Sequence, residues 1–357
     1  MSFVVQKYKP LIPYSVLAAN KVTITGSVLF TLLILGVTLS LVLGPVSFSA
    51  IDGILSIVDK LFSSQLSELV GYQSLIVWEL RFPRLMLAIL VGAILAQCGA
   101  VMQGLFRNPL ADPGIIGVSS GAAIGAIVSI GLMPDALQGL TTPAFAFLGG
   151  LLTTLLVYGL ARSKQGTSIL MLLLAGVAIS AFAGALIGFI SYFADDQKLR
   201  ALSLWQMGSL SGANTLSLWT CAGTLLFLSV MFQLRANDLN ALLLGEAEAR
   251  HLGVGVERLK RQLIIVTAIG VGVAVASSGV IGFVGLVVPH IIRLLTGPNH
   301  RTLLPLSALC GALLLTISDL IGRQLVQPAE LPVGLITALF GAPFFLALLV
   351  LRRDQWA

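Results

Sequence analysis

The sequence predicts an all-α polytopic membrane protein of about ten transmembrane helices, folded as one membrane domain over residues 1–357. The first observation behind this is composition. Hydrophobic residues make up 57% of the chain and charged residues only 10%, against about 25% charged in an ordinary soluble domain. The second is a series of uncharged runs of membrane length, Val22 to Ile51, Leu85 to Phe106, Pro113 to Pro134, Ala136 to Ala161, Ile169 to Ala194 and Leu331 to Leu351. Crossing a bilayer takes about 20 apolar residues, and backbone in lipid must satisfy its own hydrogen bonds, so continuous runs predict helices. A β-barrel would require short alternating segments.

Taken in order, the pattern predicts helices near 24–44, 84–106, 114–133, 143–161, 168–192 and 216–234, then 262–281, 283–296, 303–323 and 331–351. The stretch from Gln262 to Ile292 is too long for one ordinary span and short for two. Gly279, Gly282, Gly285 and Pro289 predict a break within it. The first apolar run begins only after Lys21 and lacks a small-residue cleavage site, so it reads as a span and not as a cleavable signal.

Charge supports the count. With the N-terminus in the cytoplasm and ten alternating spans, the twenty-one Lys and Arg divide fifteen to six in favour of the cytoplasmic side, as positive-inside topology requires. The net charge of +6 therefore reads as topology and not as nucleic-acid binding. Cys98, Cys221 and Cys310 each stand alone in apolar runs, so neither a metal site nor a disulfide framework is expected.

Gly92, Ala96, Gly99 and Pro109 recur as Gly272, Ala276, Gly279 and Pro289 at an offset of 180. Five expected spans separate the copies, and an odd number inverts the second. The repeat halves are placed at about 82–195 and 262–351, an architecture common among transporters. Just before the second copy lies a polar island, Asn240 to Arg261, with its charges between Glu246 and Arg261. Asp238 is placed to cap a short helix there and Glu246 to pair with Arg250. Gly253 and Gly255 are expected to bend the segment into two short helices over about 238–261, and Leu242, Leu243, Leu244 and Leu252 need burial against the membrane domain or a partner.

Three other stretches invite a chemical reading. "GVSSGAAIG" (117–125) offers Ser119 or Ser120 as a nucleophile with His290 as base, the reading of an intramembrane serine protease. The plainer reading is a packing face of Gly117, Gly121 and Gly125. Gly176, Ser180, Gly184 and Gly188, spaced by four, read as a packing face or as a smooth wall for a bulky substrate. Their helix carries no acidic or basic residue, which speaks against an ion-coupled secondary transporter and leaves the energy source outside the chain. Arg81 and Arg84 of "RFPR", with Arg323, fall at outer helix ends, where they either snorkel or pair with carboxylates of an outer partner.

The stretches "RFPRLMLAILVGAILAQCGAVMQGLFRNPLADPGIIGVSSGAAIG", "LGEAEARHLGV", "SGVIGFVGLVVPHIIRLL", "HRTLLPLSALCGA" and "AELPVGLITALFGAPFF" resemble the permease subunits of type II ABC importers, which bring in iron-siderophores, haem and cobalamin. The resemblance runs from about Trp78 to Leu351, and "MQGLFRNPLADPGIIGVSSGAA" and "YFADDQKLRALSLWQMGSL" look most like haem permeases. It implies a homodimer, two cytoplasmic ATPase subunits that carry ATP and Mg, and a periplasmic substrate-binding protein. This chain would hold no cofactor or metal and would catalyse nothing itself. The setting implied is the bacterial inner membrane, with both termini cytoplasmic.

Carried onto this sequence, the resemblance assigns ATPase coupling to Gly245, Glu246, Ala249, Arg250, Leu252 and Gly253, and binding-protein docking to Arg81, Arg84 and Arg323. It assigns the translocation path to Gly176, Ser180, Gly184 and Gly188. The inner gate region is assigned to Asn108, Pro109, Gly166, Thr167 and Ser168.

Overall fold

The computed structural model describes residues 14–351 apart from 45, 47–48, 63, 65 and 164–165. Lys7, Lys9, Lys164, Arg352 and Arg353 of the charge count, and both termini, lie outside the described residues. The helices are α1 (Tyr14–Val42), α2 (Ala50–Phe62), α3 (Gly71–Leu75), α4 (Phe82–Leu105), α5 (Val118–Leu132), α6 (Asp135–Ala161), α7 (Ile169–Phe193) and α8 (Asp196–Gln206). They continue as α9 (Thr215–Leu234), α10 (Ala236–Leu243), α11 (Glu246–His251), α12 (Val256–Ser278), α13 (Val284–Thr296), α14 (His300–Gln324) and α15 (Val333–Leu351). A π-helical turn, Ile76–Arg81, fuses α3 to α4, and a 3-10 turn, Pro113–Ile116, precedes α5. Strands β1 (Arg162–Ser163) and β2 (Gly166–Thr167) pair antiparallel between α6 and α7.

Seven of the described helices are long and apolar enough to cross a membrane: α1, the continuous run from α3 through α4, α6, α7, α9, α12 and α14. Three shorter apolar helices lie within α5, α13 and α15. Together they account for the ten expected spans. The expected break falls between Ser278 and Val284, where Gly279 (φ 69°) and Phe283 (φ 67°) both enter the left-handed region.

Some boundaries differ from the sequence reading, each for a physical reason. α12 begins at Val256, inside the polar island, because a helix emerging into water tolerates Glu257, Arg258, Lys260 and Arg261 on its first turns. α6 begins at Asp135, eight residues before the expected start at 143, and passes through Pro143. α2 and α8 are short and escape a search for long apolar runs; α8 is capped by Asp195, whose carboxylate accepts from the Lys198 amide at 2.8 Å. The offset of 180 does not relate equivalent positions, since Pro109 lies in a loop and Pro289 inside α13. Element order repeats at about 165 instead: α5, α6 and α7 begin at Val118, Asp135 and Ile169, and α13, α14 and α15 at Val284, His300 and Val333.

α4 is the axis of the bundle, with 83% of its most apolar stretch buried, against 6% for α1. It packs against α14, α13, α9 and α12. Lipid gives helices no hydrophobic reason to associate, so close backbone approach must supply the contact. A Cβ on Gly92 would overlap the Gly311 carbonyl of α14, and one on Gly99 would overlap the Gly285 carbonyl of α13. The two crossings fix α4 at both levels. Enlarging either site should separate backbones that cannot yield locally. Gly99→Val is expected to destabilise by about 1–3 kcal/mol, measured as lowered Tm in detergent, whereas Gly139→Val, with nothing within 4 Å of its Cβ position, should leave Tm unchanged.

Candidate functional site

The two ends of α4, about 36 Å apart at 1.5 Å per residue, carry different polar assemblies. At the C-terminal end sits the polar island. α10 packs against α4 and α14, and Asn240 ties it to the start of α14 by accepting from the His300 amide (2.8 Å). The expected break at Gly253 (φ 86°) and Gly255 is present, between α11 and the start of α12 at Val256, although the second helix is not short but runs on as a span. A further bend lies at Gly245 (φ 127°), between α10 and α11. Asp238 does not cap a helix; it sits in the first turn of α10, 3.2 Å from the Arg235 guanidinium. Of the apolar positions, Leu242 and Ala249 are buried, while Leu244 and Leu252 are 66% and 64% exposed. The island therefore presents two leucines outward, beside Arg250, which pairs with Glu246 at 3.4 Å.

The expected gate residues lie against this island. Asn108 turns its own loop by accepting from the Leu110 amide (2.9 Å), and it links Pro109 to Arg107, itself at φ 48°. Asp112 accepts from the Gly114 amide at 2.7 Å, and its burial pushes its pKa upward against that hydrogen bond. Thr167 donates both its amide (2.9 Å) and its hydroxyl (2.8 Å) to Glu257 on α12. Gly166 (φ 122°) lets the strand approach, since a Cβ there would lie 2.9 Å from the Glu257 carboxylate. Ser168 caps α7 by accepting from the Met171 amide (3.3 Å). Between island and gate is Lys260, its side chain 4% exposed, with Nζ 2.7 Å from Glu246, 3.3 Å from Glu257 and 3.3 Å from the Thr167 carbonyl.

Lys260 and Glu257 are absent from the sequence-based site. Their three-residue spacing on a helix was the available signal.

At the opposite end, the three arginines expected to face an outer partner are committed inward. Arg81 donates to the carbonyls of Leu41, Val42 (2.9 Å) and Val46 (2.5 Å), closing the end of α1. Arg84 meets Asp319 at 2.8 Å and Glu330 at 2.6 Å. Arg323 lies 3.1 Å from Asp319 and donates to the Ser40 hydroxyl (2.6 Å). In this structure they join α1, α4 and α14 before they offer any surface. Asp319, buried and at the centre of this network, is the one acidic residue of α14; a carboxylate inside a span is itself a signal.

The α7 residues divide. Gly176 is a packing position, where a Cβ would overlap the Ile115 carbonyl. Ser180 shares a 2.7 Å hydrogen bond with Ser120. Gly184 and Gly188 open outward with nothing within 4 Å of their Cβ positions. The stretch 117–125 is a packing face, because Cβ atoms on Gly121 and Gly125 would overlap the carbonyls of Gly149 and Phe145 on α6.

Residues 32–351 match the FecCD transport family. The chain belongs to that family. The hemin transport system permease protein HmuU of Yersinia pestis is 48% identical over 283 residues, covering 78% of this chain and 84% of the relative. The vitamin B12 import system permease protein BtuC of Vibrio cholerae is 43% identical over 303 residues, covering 84% and 90%. The fold is similar to an inward-facing metal-chelate type ABC transporter, with a TM-score of 0.80 at 34% identity, covering 92% of this chain and 99% of that one. This FecCD member thus has the type II ABC importer permease fold. The match takes in the last eleven residues of α1, which the motif resemblance from Trp78 onward leaves out. Family membership also replaces the protease and ion-coupled readings.

Two outcomes follow for this FecCD chain. Asp319→Asn removes the carboxylate shared by Arg84 and Arg323, and breaking a buried pair in this way should cost about 3–5 kcal/mol, read as lost Tm while Glu330→Gln at the rim shifts Tm far less. Asp112, with its pKa raised above the usual carboxylate value, favours the protonated form in the folded chain. Its contribution is present below the ordinary carboxylate pKa and is lost as pH rises through the raised one. Asp112→Asn should therefore flatten the dependence of Tm on pH between those two values, and an unchanged pH profile there would contradict the assignment.

Proposed function

We propose that this chain is the permease subunit of an ATP-driven importer that carries haem, or a related iron chelate, from periplasm to cytoplasm. The observation that carries the substrate reading is the 48% identity to a hemin permease. A cobalamin or ferric-siderophore substrate is the second reading, favoured by the longer alignment to a vitamin B12 permease. The chain works in the bacterial inner membrane with both termini in the cytoplasm. Two copies stand side by side, because a wall formed by Ser180, Gly184 and Gly188 opens outward from one chain and needs a second wall to enclose a path.

Energy enters from two ATPase subunits, which hold ATP and Mg; this chain catalyses no reaction. The ATPase seats on α11, flanked by Leu244 and Leu252, which are exposed beside a charged rim, the arrangement of an interface anchor. Gly245, Glu246, Ala249, Arg250 and Gly253 shape that helix. A periplasmic binding protein docks at the opposite end, on the surface that Arg81, Arg84 and Arg323 brace from within.

Two measurements test this. Proteoliposomes holding the permease, its ATPase and its binding protein should accumulate hemin on ATP addition, uncompeted by excess cobalamin or ferric siderophore; cobalamin uptake in place of hemin would overturn the substrate reading. Charging both anchors, Leu244→Glu with Leu252→Glu, should weaken ATPase binding by about 2 kcal/mol or more, seen as loss of the co-purifying subunit from a folded permease. Full ATPase retention would contradict docking at α11.

A further inference from the structure

We infer that Lys260 is a positioning residue that ties the ATPase-docking helix to the start of the path helix, through a relay Glu246–Lys260–Glu257–Thr167 with the ammonium buried at its centre. The inference rests on the docking reading of α11 and names the linkage that reading lacks. An ammonium has three donors, and the neighbours of Lys260 come from three separate segments: Glu246 of α11 at 2.7 Å, Glu257 of α12 at 3.3 Å, and the Thr167 carbonyl of β2 at 3.3 Å. The other oxygen of Glu257 takes both the amide and the hydroxyl of Thr167. The loop is closed: β2 receives from Lys260 at its carbonyl and donates to Glu257 from its amide and hydroxyl.

The relay ends where a displacement has mechanical effect. Thr167 is followed by Ser168, whose side chain caps α7 and whose amide donates to the Ala161 carbonyl, the last residue of α6 (3.0 Å). α7 then carries Ser180, Gly184 and Gly188. On the other side, Glu246 opens α11 directly after Gly245, so a tilt of α11 moves this carboxylate first. With its side chain 4% exposed, Lys260 has little water to replace a lost partner, and a buried charge deprived of its partner is strongly penalised. The three segments therefore move together. Linkage of this kind carries coupling between sites only when an element with two positions is biased from both ends; here that element is β2 with the α7 N-terminus.

The experiment uses the permease assembled with its ATPase and a spin label at Arg162→Cys on β1. The expected result is that ATP with Mg changes the label spectrum in the parent chain. Lys260→Met should abolish this change and lower hemin moved per ATP hydrolysed by about tenfold, a typical coupling factor, with Lys260→Arg restoring part of both. If Lys260→Met does not assemble, Thr167→Val, which removes only the hydroxyl bond to Glu257, should lower both readouts in the same direction. A ribbon that still responds, with hemin per ATP unchanged in the variant that assembles, would overturn the relay. That failure is distinct from failure of the docking reading, which would appear as a parent chain that never retains the ATPase.

Discussion

The structure depends on backbone contact at two glycine crossings, Gly92 against Gly311 and Gly99 against Gly285. In lipid, apolar side chains gain nothing by leaving one hydrocarbon for another, so helix association rests on close packing and on polar links. The crossings hold α4 between α14 and α13 along its length. With α4 held, each end of it becomes a fixed platform: the arginine network at its start, the polar island and the β1–β2 ribbon at its finish. A side chain at either glycine would separate the helices that every other contact assumes to be adjacent.

Polar groups are used sparingly and at the ends. The network around Asp319 joins α1, α4 and α14 at one end, and the network around Lys260 joins α11, α12 and β2 at the other. Both place a charge in a nearly dry site and surround it with opposite charge, an arrangement that resists piecemeal rearrangement because an unpartnered member is costly. The middle of α7, by contrast, holds only small and apolar residues and leaves Gly184 and Gly188 open. A stiff frame at both ends with a smooth, uncharged wall between them suits passage of a bulky substrate better than relay of a small ion, whose path needs ionisable groups.

Much of this is legible in sequence, and unevenly so. The ten apolar helices are readable because lipid demands long uncharged runs, and the break at Gly279–Phe283 because a run of that length fits neither one span nor two. The short helices α2 and α8 are not readable that way, since their pattern is amphipathic and brief. The arginines illustrate a deeper limit: composition places Arg81, Arg84 and Arg323 at helix ends, but only packing decides that their acceptors are the end of α1 and an aspartate 235 residues away from Arg84. Lys260 is the same case. Nothing local says that its partners include a strand carbonyl 93 residues earlier, and charge alone does not reveal burial.

The account places the energy source outside this chain and the point of its delivery at α11. The most direct measurement is hemin uptake into proteoliposomes containing the permease and binding protein, with the ATPase either present or omitted and a proton or sodium gradient imposed. The account predicts no accumulation under either gradient alone, and accumulation on ATP addition only when the ATPase is present. Accumulation driven by an ion gradient in the absence of the ATPase would contradict it.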